Sequence, residues 1–177
     1  MVEPDKVYDA ACGIADENEA FRAYLKENAD PDELDRQFHR LHEELFSSRD
    51  CCKCNNCCRI YAVALREDEA ESISAFLGLS TPDFAERYLF RAAVGGYGIE
   101  GPCPFLQADG RCLIHACKPT VCKNYPPTNQ PDRMGNLLHL FSLAAECPVV
   151  YEMIGRLKAL YGYRPDQPGV KSHNRIV

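Results

Sequence analysis

The sequence has little positive charge and no long apolar run, and each absence excludes a class of protein. Its 20 lysine and arginine residues are outnumbered by 26 acidic ones, so the net charge is −6. General nucleic-acid binders carry a basic surface, and we therefore expect no nucleic-acid partner. No apolar stretch approaches the roughly 20 residues that cross a bilayer, so we expect no membrane partner either. The first ten residues have neither a basic flank nor an apolar segment, which argues against a secretory signal and favours a cytoplasmic address.

Catalytic patterns and internal repeats are missing as well. No Ser-His-Asp set and no paired-carboxylate arrangement stands out by spacing, so no catalytic residue is assigned. A chain of 177 residues is large enough for one domain with a modest core. We predict one structural domain overall: an N-terminal helical segment (1–50) packed on the core, a cysteine-cluster metal-binding domain (51–163) and a poorly ordered tail (164–177).

The spacing of apolar residues predicts a mixed α+β fold with N-terminal helices, short strands and a C-terminal helix. Helices are expected over 16–28, 31–46, 66–78, 80–90 and from residue 148 onward, with one helical turn inside 118–126. Strands are expected over 60–65 and 136–144, and a hairpin over 103–114 that turns at Asp109-Gly110. The glycine-rich segment 94–102 predicts a turn or loop.

Helix ends and buried faces are also readable. Asp16 is the expected cap of the first helix, and Asp30, Pro31 and Glu33 form a start signal for the second. Two apolar faces are predicted: Leu34, Phe38, Leu41, Leu45 and Phe46 on the second helix, and Val149, Ile154, Leu157 and Leu160 on the last.

The chain is rich in cysteine, with 11 residues, five of them within "CCKCNNCC" at positions 51–58. Cytosolic thiols are normally reduced, and an odd count leaves no complete disulfide framework. Cys51, Cys54 and Cys57 form C-x-x-C-x-x-C, which lets thiolates share a metal across a tight turn, and Asn55 tolerates the left-handed backbone that such a turn needs. A second group lies downstream at Cys103, Cys112, Cys122 and Cys147. Tetrahedral zinc takes four ligands, so eight thiols fill two sites and three are left over.

Both cysteine regions are locally basic within an acidic chain. The basic residues concerned are Lys53, Arg59, Arg111, Lys118 and Lys123. A divalent ion with four thiolates carries a formal charge of about −2, so nearby cations favour the deprotonated ligands.

This ordered set of cysteines resembles the YkgJ-type, or CxxCxxCC, family, which is described as zinc- or iron-chelating domains. The resemblance covers roughly residues 51–148 and rests on the first cluster, on "CPFL" at Cys103, on "GRCLIHACKPTVCKNYP" and on Cys147-Pro148. His115 stands where the family usually has tyrosine, and Lys118 where it usually has arginine. The resemblance predicts eight metal ligands: Cys51, Cys54, Cys57, Cys58, Cys103, Cys112, Cys122 and Cys147.

The same family includes the cysteine-rich part of flagellin lysine N-methylases, which implies a link to iron–sulfur chemistry and protein methylation. We recognise no methyl-donor site in this chain. Outside the predicted ligands, Cys12 is expected to be a small buried residue or a free thiol. Cys52 and Cys117 are expected in the core, with spare ligands or redox partners as alternatives, and His115 is an alternative ligand.

The identity of the metal stays open between two chemistries. C-x-x-C-x-x-C with a distant Cys-Pro is typical of bacterial 4Fe-4S ligation, and Cys103-Pro104 and Cys147-Pro148 both qualify. Zinc accepts the same ligands, and one cluster plus one zinc is a third arrangement. We therefore predict a metal-binding protein with an iron–sulfur cluster preferred over zinc, serving redox chemistry or assisting a protein-modifying reaction. The alternative is a zinc-stapled structural or protein-interaction module with no catalytic role; no protein partner is identified.

Overall fold

The structure is a computed structural model, and it describes residues 1–47, 49–91 and 96–166. Its helices in chain order are α1 (Val7–Cys12), α2 (Ala15–Asn28), α3 (Pro31–Phe46), α4 (Cys51–Cys54), α5 (Asn56–Ile60), α6 (Glu67–Leu77), α7 (Thr81–Tyr88), α8 (Thr120–Lys123), α9 (Leu137–Ser142) and α10 (Pro148–Leu160). Three antiparallel strands form one sheet in the order β1-β3-β2: β1 (Val63–Leu65), β2 (Phe90–Arg91) and β3 (Tyr97–Ile99). The predicted α+β class is confirmed.

Contacts divide the chain into two compact units. The helical unit comprises residues 1–49 and the chain from Pro126 onward, and the cysteine unit comprises residues 50–125. The predicted domain boundaries stay a prediction, and most of the predicted tail lies outside the described residues. None of the described helices has both the length and the apolar content that a bilayer crossing requires.

Helix α3 begins and packs as its sequence predicts. The Asp30 carboxylate accepts the N–H of Glu33 at 2.8 Å, and Pro31 occupies the first turn. Glu33 does not return the contact to Asp30; its carboxylate accepts from Arg36 and Gln37 instead. The predicted face is buried at Leu34, Phe38, Leu41 and Leu45 and half-buried at Phe46. The end of α2 at Asn28 is also confirmed, but Asp16 lies inside its first turn, because the helix already begins at Ala15.

The predicted strand over 136–144 is wrong, since residues 137–142 form α9 and Leu143–Ala145 a 3-10 turn. Leu137, Leu140 and Phe141 are buried at helical spacing, whereas Leu138 is 66% exposed. A short apolar run does not distinguish a strand from a buried helix. Packing on the neighbouring helices determines that this run is helical. In α10, Val149, Ile154 and Leu157 are buried as predicted, but Leu160 is 49% exposed because it lies at the helix end.

The sheet of the cysteine unit corrects two further predictions. The strand expected over 60–65 shortens to β1, because Ile60 ends α5. Within the segment predicted as a loop, Tyr97–Ile99 form the central strand, while Val94 and Gly95 lie outside the described residues. A Cβ at Gly98 would stand 2.7 Å from the Phe90 ring and 3.1 Å from the Val63 carbonyl oxygen. Gly98 therefore allows β1 and β2 to approach β3 closely, and it does not form a turn.

Helices α6 and α7 are confirmed, with Gly78 in the left-handed conformation after α6 and Ser80 capping α7, but the predicted end of α7 is wrong, because the helix stops at Tyr88 and Phe90 begins β2. They close a small apolar core of the cysteine unit, formed by Leu65, Ala70, Ile73, Phe84, Ile99, Phe105 and Ile114. The predicted hairpin over 103–114 is a compact loop, with a single bridge between Leu106 and Cys112. Gly110 supplies its turn at a φ of 83°.

Candidate metal centre

The first cysteine motif folds as two short helices that reverse direction at Asn55. Asp50 caps α4 by accepting the N–H of Cys52 at 2.9 Å. Asn55 then takes a left-handed conformation with a φ of 37°, as its position predicts. Its side chain donates to the Cys52 carbonyl at 3.0 Å and accepts from the Arg59 guanidinium at 2.7 Å. These bonds hold the reversal, so the successive thiols belong to one tight turn.

The loop that carries the downstream cysteines lies directly against this turn. The Cys103 N–H donates to the Cys58 carbonyl oxygen at 2.7 Å. Gly110 approaches the Cys52 carbonyl so closely that a Cβ would stand 2.2 Å from its oxygen. Backbone contacts between the two segments therefore bring distant parts of the motif together before any metal is considered.

Four thiols are linked by the effect of one thiolate on the pKa of another. They form what we call the four-thiol group: Cys58, Cys103, Cys112 and Cys122. Burial and, after it, the neighbouring thiolates Cys103, Cys58 and Cys112 raise the pKa of Cys122 to about 12. Burial also raises the pKa values of Cys103 and Cys112 against backbone hydrogen bonds that lower them; the thiolates Cys58 and Cys112 add to the first shift, and Cys58 and Cys117 to the second.

Cys58 is the exception within the four-thiol group. A hydrogen bond with the Cys57 thiol and, less strongly, the charge of Lys118 lower the pKa of Cys58 to about 6, against the effect of burial. Lys118 also lowers the pKa values of Cys112 and Cys122. One thiolate is thus available near neutral pH, and a cation stands beside it.

The other basic residues of the two cysteine regions have different surroundings. Lys53 is 86% exposed and lies 3.9 Å from Asp50, and Arg111 lies 3.7 Å from Asp109. Arg59 is bonded to Asn55, and Lys123 lowers the pKa of Cys117. Of the five cations that the sequence singles out, Lys118 is therefore the one whose charge acts on the four-thiol group.

The remaining predicted ligands belong to α4, α5 and the start of α10. Cys57 contacts Cys58, while Cys51 and Cys54 are the first and last residues of α4. Cys147 belongs to the helical unit, where it is buried at the start of α10 and donates its N–H to the Leu143 carbonyl. The assignment of all eight as ligands stays a prediction.

The cysteines and the histidine outside the predicted set also have defined places. Cys12 is exposed at the end of α1, so its interpretation as a free thiol holds and burial is wrong. Cys117 packs against the apolar core, as expected, and Cys52 is half-buried. His115 is exposed in the 3-10 turn His115–Cys117.

No disulfide joins the cysteines of the described residues. Across residues 1–47, 49–91 and 96–166, no three His, Cys, Asp or Glu side chains stand where they would already hold an ion. Ligation by these thiols would therefore require their side chains to move closer together, and thiolates that approach one another repel unless a cation lies between them.

Two residues that support this arrangement were missed at the level of sequence. Glu69 on α6 accepts the N–H of Thr120 at the start of α8, and Gly110 permits the approach to Cys52. The Asp109-Gly110 pair predicts a turn, but it does not predict that this turn contacts Cys52. No local signal marks the contact between Glu69 and Thr120, because the two residues lie 51 positions apart.

The grouping of the thiols in the cysteine unit is typical of a cysteine-rich chelating domain. The model of the CxxCxxCC family, described as "Putative zinc- or iron-chelating domain", matches residues 50–148, more than half of the chain. The chain belongs to this family, as its cysteine order predicted, and metal binding is the function the family describes. No curated protein and no solved structure matches the chain.

Proposed function

We propose that the cysteine unit binds a metal centre through thiolates and that the four-thiol group supplies one complete ligand set. The observation that carries this proposal is that Cys58, Cys103 and Cys112 raise the pKa of Cys122, and that Cys58 raises the pKa values of Cys103 and Cys112, while the Cys103 N–H is bonded to the Cys58 carbonyl. Four thiolates are a ligand set that both zinc and iron–sulfur clusters accept.

The donor chemistry fits such a centre. Metal binding removes protons from thiols, so the high pKa values of the buried ones fall once a cation replaces the repulsion between them. Cys58 offers the first thiolate, and Lys118 offsets part of the negative charge that four thiolates leave on the site. Convergence then requires side-chain movement of thiols that are half-buried rather than locked in a core.

We place an iron–sulfur cluster ahead of zinc as the occupant. Cys103 precedes a proline, as the distant ligand does in bacterial clusters, and it lies in the four-thiol group. When bound, such a cluster supplies one-electron redox chemistry, which fits a redox or accessory role in a protein-modifying reaction. Cys51, Cys54, Cys57 and Cys147 remain proposed ligands, since the family match extends over all of them.

A zinc-stapled structural module is the second candidate. Cys103 and Cys112 pack against the small apolar core of the cysteine unit, so an ion held there ties two loop positions to that core. We further propose a cytoplasmic address, because ligation by thiolates needs reduced cysteines, which a reducing compartment maintains.

Anaerobic purification followed by elemental analysis and a visible spectrum separates these candidates. We expect brown protein with several iron and sulfide per chain, and colourless protein with stoichiometric zinc would favour the structural module. Cys122→Ser should lose most of the metal of its centre, while the matched control Cys12→Ser should keep all of it. Equal metal loss in the two variants would show that the ligand set is wrong.

A further inference from the structure

The carboxylate of Glu69 makes a long-range contact that ends beside the four-thiol group. Glu69 lies in the first turn of α6, and its side chain is only 10% exposed. One carboxylate oxygen accepts the N–H of Thr120 at 2.7 Å, and the other accepts the N–H of Arg66 at 3.1 Å. The Arg66 guanidinium contacts both residues. One of its nitrogens lies 3.5 Å from a Glu69 carboxylate oxygen, and another donates to the Thr120 hydroxyl oxygen at 3.4 Å.

This contact supports the segment that presents Cys122. Helix α8 has only four residues, and no side chain caps it locally, because its N-cap position is Pro119. So short a helix has little stability of its own, and its first N–H groups need partners from outside. Glu69 supplies a charged acceptor for the first of them, which is a stronger bond than a neutral one.

The protonation state of Glu69 agrees with this geometry. Burial acts to raise its pKa, yet the pKa lies below the ordinary value, because hydrogen bonds from Thr120 and Arg66 stabilise the carboxylate. Glu69 is therefore an anion near neutral pH, and it holds the backbone at Thr120, in the same short helix as Cys122.

We propose that Glu69 is a positioning residue of the metal centre, which fixes the α8 turn so that the Cys122 thiol can join the other three. The inference rests on the proposed function, since it takes Cys122 as a ligand. Residues that orient metal ligands in this way typically change metal affinity about 10- to 100-fold when they are replaced. Glu69→Gln keeps the size of the side chain, but its amide nitrogen accepts no hydrogen bond, so one of the two contacts is lost.

Cobalt(II) titration of the reduced, metal-free full chain measures both affinity and ligation, because thiolate-to-cobalt absorption reports the bound sulfur atoms. We expect Glu69→Gln to weaken cobalt binding about 10- to 100-fold and to reduce the thiolate absorption per bound ion. Glu71→Gln is the matched control: it removes the same charge from an exposed position of α6, and its affinity should stay within about twofold of wild type. Circular dichroism at the titration temperature keeps the comparison to folded protein.

Thr120→Pro tests the same contact from its other end. It removes the N–H that Glu69 accepts, while proline suits the first position of a helix and the extended backbone of Pro119 allows it. We expect Thr120→Pro to weaken cobalt binding on its own, and Glu69→Gln to add about threefold or less in that background. This variant also keeps the test decisive if Glu69→Gln fails to fold.

The outcomes separate the two proposals. Equal affinities for Glu69→Gln and Glu71→Gln, with Cys122→Ser severely weakened, would overturn the role of Glu69 and leave the ligand set intact. A full additional loss from Glu69→Gln in the Thr120→Pro background would also overturn it. Wild-type affinity in Cys122→Ser would instead remove the proposed four-thiol centre, and the role of Glu69 with it.

Discussion

The helical unit and the cysteine unit reach stability by different means. Helices α2, α3 and α10 have 14, 16 and 13 residues, and they bury whole faces with Phe21, Phe38 and Met153 fully enclosed. The cysteine unit has strands of two or three residues, two helices of four residues and a small core. Its thiols are mostly half-buried. From this comparison we expect apolar burial to be enough for the first unit, and the second to depend in part on links between loops that a metal centre would supply.

Metal removal should produce the largest difference in stability between the two units. A thiolate zinc site contributes apparent binding energies of about 10–16 kcal/mol in zinc-finger peptides, and a whole domain has a net stability of only about 5–15 kcal/mol. After chelation under reducing conditions, hydrogen exchange should accelerate around Cys54, Cys112 and Cys122, while α3 keeps more of its protection. Unchanged protection at those cysteines after verified metal loss would mean that the metal does not hold the cysteine unit together.

The second largest effect should be a difference in reactivity between two cysteines of the cysteine unit. In reduced, metal-free protein at pH 7, Cys58 should react with iodoacetamide at least about a hundredfold faster than Cys122, because the thiolate is the reactive form. The pKa of Cys58 is about 6 and that of Cys122 about 12, so Cys58 labelling should level off above pH 7. Mass spectrometry of the alkylated peptides measures both rates. Cys57→Ala removes the hydrogen-bond donor and should move the Cys58 midpoint to higher pH; an unmoved midpoint would contradict this account of its acidity.

Alanine at one glycine of each unit should have opposite effects. Gly110 has a φ of 83° and faces the Cys52 carbonyl, so Gly110→Ala should lower the free energy of unfolding by about 1–3 kcal/mol or more. Gly155 lies within α10, where an added Cβ would meet open space, so Gly155→Ala should raise the free energy of unfolding by about 0.5–1 kcal/mol. Urea denaturation of the two variants checks the contrast. Equal and small changes would show that the docking of the loop onto the first motif is not tight.

The smallest expected effect concerns the cap of α3. Asp30→Ala removes the acceptor for the Glu33 N–H and should cost about 1 kcal/mol of unfolding free energy, whereas Asp30→Asn should cost a few tenths. Metal content should be unchanged in both variants, because the cap belongs to the helical unit. A loss of metal in Asp30→Ala alone would break the distinction between the units, and elemental analysis beside thermal unfolding detects it.

Prediction succeeded where the physical cause is local. The Asp30 cap, the buried stripe of α3 and the Gly78 end of α6 all follow from residues within one or two turns of each other. It failed at 136–144, where the same residues fit a strand or a helix, and at Tyr97–Ile99, where they fit a turn or a central strand. Those choices depend on partners that lie far away in the chain.

The candidate site divides in the same way. The order and spacing of its cysteines determined the family and the thiol chemistry, because a chelating turn is a local arrangement of residues. Only the tertiary structure decided that Cys58, Cys103 and Cys112 raise the pKa of Cys122, that Lys118 lowers the pKa values of three of these four thiols and that Glu69 accepts the N–H of Thr120 in α8. Charge–charge effects and long-range hydrogen bonds depend on distances in space, and the chain sets those distances only when its separate segments pack.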